Sequence, residues 1–187
     1  MKRIIILLAL SLFVLIWCGR ENVPESISNS DYLIDHANHV HHIVISEESF
    51  LVDMIPHHQE AVDTSFRLNQ ITQHPRIKEL TQAIIDGQDK EIALMQFWLD
   101  EWYPNSSYTS TYAPMMRDTS TISAIWTIEK FWLEDMIQHH MWAIMMAHDV
   151  IILNPREEVV SLANEIITAQ YDEIAIMQEL LTNNNIY

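Results

Sequence analysis

The chain has 187 residues and a formal net charge of −16, which comes from 26 acidic and 10 basic side chains. This acidity argues against nucleic acid as a partner and against anionic membrane surfaces. The length suits one domain with a substantial core. Cys18 is the only cysteine, which excludes an internal disulfide and a thiolate metal cluster, so any metal site must use His, Met and carboxylates.

Residues 1–18 predict export. Lys2 and Arg3 precede an apolar run over residues 4–17 that is too short for a comfortable membrane span. Cys18 stands where a bacterial lipoprotein is cut and acylated, although Trp17 occupies a position where such signals carry Gly, Ala or Ser. Lipidation and an uncleaved N-terminal anchor both stay open. Either one predicts a periplasmic or cell-envelope protein tethered to the membrane through its N-terminus.

Residues 19–45 are predicted to be a tether that contains histidines. His36, His39, His41 and His42 lie in this stretch, after a polar run. Their spacing allows chelation of Cu(II), Zn(II) or Ni(II), and a solvated polar segment without metal is the alternative. The sequence does not decide between the two.

Residues 46–187 predict an all-α domain. The chain has two glycines, and long stretches carry apolar residues at helical spacing. Helices are predicted at about residues 47–68, 75–102, 123–152 and 155–182, with Pro75 and Pro155 in first turns. Short connections make each pair an antiparallel hairpin, whereas residues 104–122 form a long link. Two repeated hairpins joined by one long crossover are the connectivity of a ferritin-like four-helix bundle.

The chain contains an internal repeat with an offset of 82 positions. Residues 50–61 return as residues 132–143 without a gap, and the two repeats extend over about residues 46–103 and 123–187. A repeated packing unit is expected to keep its apolar period. This repeat also keeps a His pair, an Asp, a Gln and a Glu, so these residues require a reason beyond filling a core.

Two of the repeated histidines fall on apolar stripes. His58 and His140 lie in the middle of the inner faces of the first and third helices, and Glu91 and Glu173 lie on the facing stripes. A carboxylate on an inner face is costly unless it has a partner. We therefore predict His58–Glu91 and His140–Glu173 pairs, which form either directly or through a shared metal ion.

The other two histidines are predicted to lie away from these stripes. His57 and His139 directly precede His58 and His140 and therefore lie about 100° away from them around the helix. They fall on the edge that also carries Asp53 and Asp135. This placement favours a supporting role or a surface ligand role over an inner one.

The motif Met-Ile-x-His-His-x-x-Ala, followed by Gln-x-x-Glu-Ile-x-x-Met on the next helix, occurs in both repeats. It resembles the domain of unknown function 305 family over about residues 46–187. The resemblance implies a ferritin-like fold and an exported metal-binding protein, with copper handling as the main role. The predicted metal ligands are Met54, His57, His58, Glu91, Met95, Met136, His139, His140, Met146, Glu173 and Met177.

The first repeat departs from the family pattern at one thioether. The second repeat carries Met146, whereas the equivalent position in the first repeat is Thr64. Thioethers favour soft ions such as Cu(I). The two halves are therefore predicted to bind metal unequally, with the first half as the poorer soft-metal site.

The sequence predicts an exported protein that binds or sequesters copper, with zinc as a second candidate, and that catalyses no reaction. A homodimer is compatible with this hypothesis. One alternative is a metal-free helical interaction module whose polar core sets helix register and whose methionines only fill the core. A dinuclear metal oxidoreductase is disfavoured, because Leu94 and Ile176 stand where a Glu-x-x-His pair would place its histidines.

Overall fold

A computed structural model describes residues 44–182, which form four α-helices and contain no β-strand within that range. The helices are α1 (Glu47–Ile71), α2 (Pro75–Trp102), α3 (Ile125–Ile152) and α4 (Glu157–Thr182). The all-α, four-helix prediction is confirmed. The predicted signal and all but the end of the tether, including its histidines, lie outside the described residues. No helix in the described range has enough apolar length to cross a bilayer.

The helix starts follow from local chemistry. Ser46 caps α1 through a reciprocal bond with Ser49, which satisfies amide groups that have no partner inside the helix. Pro75 begins α2 as predicted, since its missing N–H costs nothing in the first turn. The predicted start of the last helix at Pro155 is wrong. Asn154 adopts a left-handed conformation, with φ 55°, so the chain is still turning there and α4 begins two residues later.

The helices pack as two hairpins that meet through their first members. α1 packs against α2, α3 packs against α4, and α1 also packs against α3. The outer helices α2 and α4 each bury one stripe, whereas α1 and α3 bury more of their surface. This arrangement places the centres of α1 and α3, where the repeated histidines lie, at the middle of the domain.

The apolar core is divided into two clusters, one toward each end of the bundle. The Met54 cluster comprises Val44, Phe50, Leu51, Met54, Met95, Trp98, Ala143, Met146, Ala147, Val150, Val159, Leu162, Ala163 and Ile166. The Met136 cluster comprises Ala61, Leu68, Ile77, Leu80, Ile84, Trp132, Leu133, Met136, Ile144, Ile174, Met177 and Leu180. Each cluster joins the first half of one central helix to the second half of the other, so α1 and α3 run antiparallel.

The crossover, residues 103–124, contains no helix or strand and is held on the bundle by carboxylates of the central helices. Asp53 accepts hydrogen bonds from the Tyr108 hydroxyl (2.9 Å), the Ser110 hydroxyl (2.8 Å) and the Thr111 amide (2.7 Å). Asp135 accepts from the Arg117 amide (3.0 Å) and from its guanidinium Nε (2.8 Å). The two equivalent aspartates of the repeat therefore anchor the segment that joins the hairpins.

Candidate metal centre

A layer of polar side chains separates the two apolar clusters at mid-height in all four helices. We call this set the polar layer; it comprises His57, His58, Gln88, Glu91, His139, His140, Gln170 and Glu173. The four histidines are at most 1% exposed. They lie near the middle of the antiparallel helices α1 and α3, so the His-His motifs of the two repeats are brought to the same height.

The predicted inner pairs are confirmed as direct contacts. His58 Nε2 lies 2.8 Å from Glu91 Oε2, and His140 Nε2 lies 2.7 Å from Glu173 Oε2. A carboxylate in such a contact accepts the ring N–H, which leaves the other nitrogen, Nδ1, with a free lone pair. Neither Nδ1 finds a hydrogen-bond partner among the described residues. Carboxylates hold metal-binding histidines in this way in many proteins.

The prediction that His57 and His139 lie at an edge or at the surface is wrong. Both rings are fully buried and lie against each other, with ring centroids 3.7 Å apart and planes tilted by 37°. They are equivalent residues of the two repeats, so α1 and α3 meet at a self-complementary contact, as in a symmetric dimer. The periodicity of each helix alone places these residues at the edge of its apolar face, but in the bundle the other central helix covers that edge.

His57 and His139 are neutral at physiological pH. Burial holds the pKa of His57 well below its ordinary value, and the neighbouring imidazoles add to this shift. Burial also lowers the pKa of His139 to about 4, although the carboxylate of Glu60 acts in the opposite direction. Neither nitrogen of His57 has a hydrogen-bond partner among the described residues, and His139 has only a longer contact of 3.5 Å between its Nε2 and Glu60. Neutral imidazoles are the form that binds metal.

Glu60 links this pair of rings to the crossover. Its carboxylate accepts hydrogen bonds from the Tyr112 hydroxyl and from the amides of Met115 (3.0 Å) and Met116 (3.2 Å), and it lies 3.5 Å from His139 Nε2. Burial acts to raise the pKa of Glu60, but His139 and the donors of the crossover outweigh it and lower the pKa to about 2. The carboxylate therefore stays ionised next to the buried rings.

The layer also contains two buried amides without partners. Gln88 and Gln170 are 3% and 2% exposed, and both polar atoms of each side chain lack a hydrogen-bond partner within residues 44–182. A buried polar atom without a partner costs about 1–3 kcal/mol. A core with several such atoms in one layer is unfavourable unless water or an ion satisfies them.

Buried thioethers flank the layer on both sides. Met54 precedes His58 by one helical turn and Met95 follows Glu91 by one turn; both belong to the Met54 cluster. Met136 and Met177 have the same relation to His140 and Glu173 in the Met136 cluster. All four methionines are 0% exposed, which fits core filling as well as metal ligation.

The structure brings Met146 of the second repeat to the thioethers of the first repeat. Met146 belongs to the second repeat, but the antiparallel packing places it in the Met54 cluster, with Met54 and Met95 from the first repeat. Thr64, its counterpart, lies on the half of α1 that contributes to the Met136 cluster. The Met54 cluster therefore has three buried thioethers and the Met136 cluster has two, with the partly buried Met116 and Met141 packed against the latter. The predicted inequality in metal binding stays a prediction.

The side chains of the polar layer are of types that bind metal ions, although the described residues do not form a complete metal site. Within residues 44–182, no group of three His, Cys, Asp or Glu side chains is positioned to hold an ion. Imidazole, thioether and carboxylate donors nevertheless alternate through the core, and several buried nitrogens have no partner. Binding would therefore use thioethers, or would require a ring to turn.

Sequence reasoning missed Glu60 and Tyr112. Glu60 is not repeated, because Trp142 occupies the equivalent position, so the internal repeat does not single it out. Tyr112 lies in the crossover, and its ring packs edge-on against His57 with centroids 5.3 Å apart. The crossover is rich in hydroxyl donors, and the helices beside it carry inward carboxylates. This match of donors with acceptors was the signal in the sequence for both residues.

Comparisons with known proteins agree with this architecture. Structures of CopM in its Cu(II)-bound and Cu(I)-bound forms are 29% and 30% identical to this chain, each with a TM-score of 0.66. The alignments cover 74% of this chain and 97% and 96% of the CopM chains. A structure described as a candidate secreted DUF305 protein from Streptomyces coelicolor is 25% identical, with a TM-score of 0.64, over 73% of this chain and 91% of that one.

A further relative is matched over a shorter stretch. Uncharacterized protein L153 of Acanthamoeba polyphaga mimivirus is 42% identical over 57 residues, which are 30% of this chain and 38% of that protein. The family model of a domain of unknown function, DUF305, matches residues 47–181 and thus all four helices. The protein is therefore a member of the DUF305 family.

Proposed function

We propose that this protein is an exported copper-binding protein that holds the ion through His, Met and carboxylate side chains of the polar layer and catalyses no reaction. The observation that carries the proposal is the set of buried imidazole nitrogens without partners, flanked by buried thioethers. Imidazole suits Cu(II) and Zn(II), and thioether suits Cu(I), so the mixed set can serve both oxidation states of copper. CopM, a structural neighbour, has been solved with Cu(I) and with Cu(II).

The Cu(I) ligands in this proposal are the histidines held by glutamates together with the adjacent methionines. His58 with Met54 and Met95, and His140 with Met136 and Met177, form two sets at equivalent positions of the repeats, and Met146 adds a third thioether to the His58 set. Glu91 and Glu173 hold the ring N–H, so each Nδ1 lone pair is available to the ion. Zinc is the second candidate, because it accepts imidazole and carboxylate ligands.

Metal analysis tests this proposal most directly. The full chain is purified from copper-supplemented and zinc-supplemented cells, and its metal content is measured together with its thermal melt with and without Cu(I). Copper retained by the protein and a Cu(I)-induced rise in Tm are expected, because an ion that binds only the folded state stabilises it. His140→Ala should remove much of that rise. A rise of unchanged size in His140→Ala contradicts the assignment of ligands.

The direct His–Glu hydrogen bonds favour a second candidate function. At 2.8 and 2.7 Å, the His58–Glu91 and His140–Glu173 contacts are complete without an ion. A metal-free interaction module would use them to set helix register. In that case His140→Ala strands Glu173 and destabilises the fold by roughly 1–3 kcal/mol, while metal content and the response to Cu(I) do not change.

The proposal includes export of the protein from the cytoplasm. It is supported by the apolar segment that ends at Cys18, and a structural neighbour is described as a candidate secreted protein. Fractionation should place the chain in the membrane fraction outside the cytoplasm. Recovery of the wild type as a freely soluble periplasmic protein, unchanged by Cys18→Ser, contradicts the tether.

A further inference from the structure

We infer that residues 112–117 of the crossover form a detachable lid over the buried rings of His57 and His139, and that the hydrogen bond from the Tyr112 hydroxyl to Glu60 holds this lid closed. We call these residues the lid and this hydrogen bond the latch. The inference rests on the proposed copper-binding function, because it concerns how fast an ion reaches the polar layer. It adds no ligand to that layer.

The first support is the position of the lid. The ring of Tyr112 packs edge-on against His57, with centroids 5.3 Å apart, and its hydroxyl donates to Glu60. The carboxylate of Glu60 in turn lies 3.5 Å from Nε2 of His139. The lid therefore contacts one ring directly and is joined to the other through a single carboxylate.

The second support is the way in which the crossover is attached. Four of its backbone amides donate hydrogen bonds to carboxylates of α1 and α3, and these are the amides of Thr111, Met115, Met116 and Arg117. Water can replace each of these bonds when the segment lifts, and no helical turn has to unwind. A segment held in this way can open by itself, at a free energy below that of global unfolding.

The third support is the small apolar area by which the crossover is held. No residue in the described stretch 103–124 is buried, and Ala113 and Pro114 of the lid are exposed. Met116 is only partly buried where it packs against the Met136 cluster. Because apolar burial is the main stabilising contribution in a core, a segment with so little of it depends on its polar bonds.

The latch is a strong bond of this set. Although burial acts to raise it, the pKa of Glu60 is lowered to about 2 by His139 and the crossover donors, so the carboxylate is ionised. Burial, together with this carboxylate, raises the pKa of Tyr112, so the hydroxyl keeps its proton. A hydrogen bond to an ionised acceptor is roughly twice as strong as one between neutral groups.

A lid of this kind changes rates and leaves affinity unchanged. The same segment has to lift for an ion to enter and for it to leave, so a weaker latch should raise both rates by one factor. Loss of a ligand instead acts mainly on the rate of release. The two roles are therefore separable by kinetics.

The first test uses the metal-free full chain and compares Tyr112→Phe with a matched control, Tyr108→Phe. Each change removes one hydroxyl that the crossover donates to α1, but Tyr108 bonds Asp53 instead of Glu60. Tyr112→Phe also keeps the ring that covers His57.

Two readouts report on the lid. Hydrogen exchange at the amides of Met115 and Met116 measures opening, and carbethoxylation of His57 and His139 by diethyl pyrocarbonate measures access to the rings, with exposed His148 as the internal reference. Tyr112→Phe should accelerate both by about tenfold, whereas the control should stay within about threefold of the wild type.

The second test measures copper. Cu(I) is supplied from, and withdrawn by, a competing chelator, and binding and release are followed by stopped flow. Both rates should rise by the same factor in Tyr112→Phe, and the Kd should not change.

Several outcomes overturn the inference. Exchange and ring modification in Tyr112→Phe that equal those of the wild type do so, as does equal acceleration in Tyr108→Phe. A changed Kd without matched changes in both rates would mean that Tyr112 acts on the ligands. Absence of Cu(I) binding in the wild type refutes the proposed function, while the metal-free measurements still decide whether the lid opens.

The wild type alone keeps the inference testable if Tyr112→Phe does not fold. Its Met115 and Met116 amides should exchange at least about a hundredfold faster than the amide of buried Ile84 in α2, because the lid opens without the helices. Equal protection of these amides would mean that the lid and the helices open together, which contradicts the inference.

Discussion

The two repeats hold identical inner pairs but differ in the residues that surround them. His58–Glu91 and His140–Glu173 have nearly the same separation, 2.8 and 2.7 Å. Around them, the first repeat has Glu60 where the second has Trp142. A duplicated unit can therefore keep its central contacts while the residues around them diverge, because only the inner pairs are constrained by both helices.

The ends of the hairpins show the same divergence. Glu47 and Glu129 are equivalent glutamates, and each contacts the turn of the opposite hairpin. Glu47 pairs with Arg156 and also accepts a bond from the Tyr103 hydroxyl, at a partly exposed site, whereas Glu129 is 5% exposed and accepts a 2.5 Å hydrogen bond from the hydroxyl of Thr72. Equivalent positions thus lie in different environments, and burial decides what a carboxylate requires from its partner.

The largest expected effect is a loss of folding stability at acid pH, and it should differ between the rings of His57 and His139. The folded-state pKa of His139 is about 4 against an ordinary value of 6.5, so the unfolded chain binds more protons below pH 6.5. The contribution of His139 to stability is complete above pH 6.5, and about 3 kcal/mol of it should be lost by pH 4. The pKa of His57 is also held well below the ordinary value by burial, and Glu60 does not act on it, so His57 should add a loss of the same sign.

Urea unfolding at pH 7, 6, 5 and 4 measures this dependence. His57→Leu should flatten the profile more than His139→Leu, and exposed His148, changed to Gln, serves as the control on α3. A profile that stays steep in both leucine variants would show that other groups cause the acid sensitivity.

The next effect compares the two hairpin contacts. Thr72→Val keeps the shape of a fully buried side chain but removes the hydroxyl bonded to Glu129. The buried carboxylate then lacks its partner, and the free energy of unfolding should fall by about 2 kcal/mol. Arg156→Met, at the exposed equivalent, should have a clearly smaller effect. Chemical denaturation of both variants checks this order, and a larger loss in Arg156→Met would contradict it.

A smaller difference is expected between the two aspartates of the crossover. Asp53 is 3% exposed and accepts several hydrogen bonds, so Asp53→Asn should cost about 1–2 kcal/mol. Asp135 pairs with Arg117, whose side chain is 43% exposed, so Asp135→Asn should cost less than about 1 kcal/mol. Limited proteolysis within residues 103–124 should be faster in Asp53→Asn. Equal cleavage rates would mean that both aspartates hold the crossover equally.

The smallest expected effect on stability is that of a change at Met146, which should instead weaken Cu(I) binding. Met146→Leu nearly conserves volume and should cost less than about 1.5 kcal/mol of folding free energy. It should weaken Cu(I) binding at the His58 end by roughly tenfold, equal to about 1.4 kcal/mol, because the Met54 cluster loses one of three thioethers. Met145→Leu, its half-buried neighbour, is the control, and an equal loss there would show that the effect is not one of the buried thioether.

The sequence by itself determined the four helices, the two hairpins, the crossover and the His58–Glu91 and His140–Glu173 pairs. These follow from periodicity and from distance along a helix, which are local quantities that repeat at a constant offset. The family resemblance rested on the same residues. The metal, the tether and the oligomeric state stay predictions.

Only the tertiary structure decided what lies between the two hairpins. It buried His57 and His139 against each other, brought Met146 to the thioethers of the other repeat, and placed unrepeated Glu60 beside the rings under the crossover. These contacts depend on the antiparallel crossing of α1 with α3. The periodicity of one helix shows which residues share a face, but it does not show which partner covers that face, because the partner lies some eighty residues away.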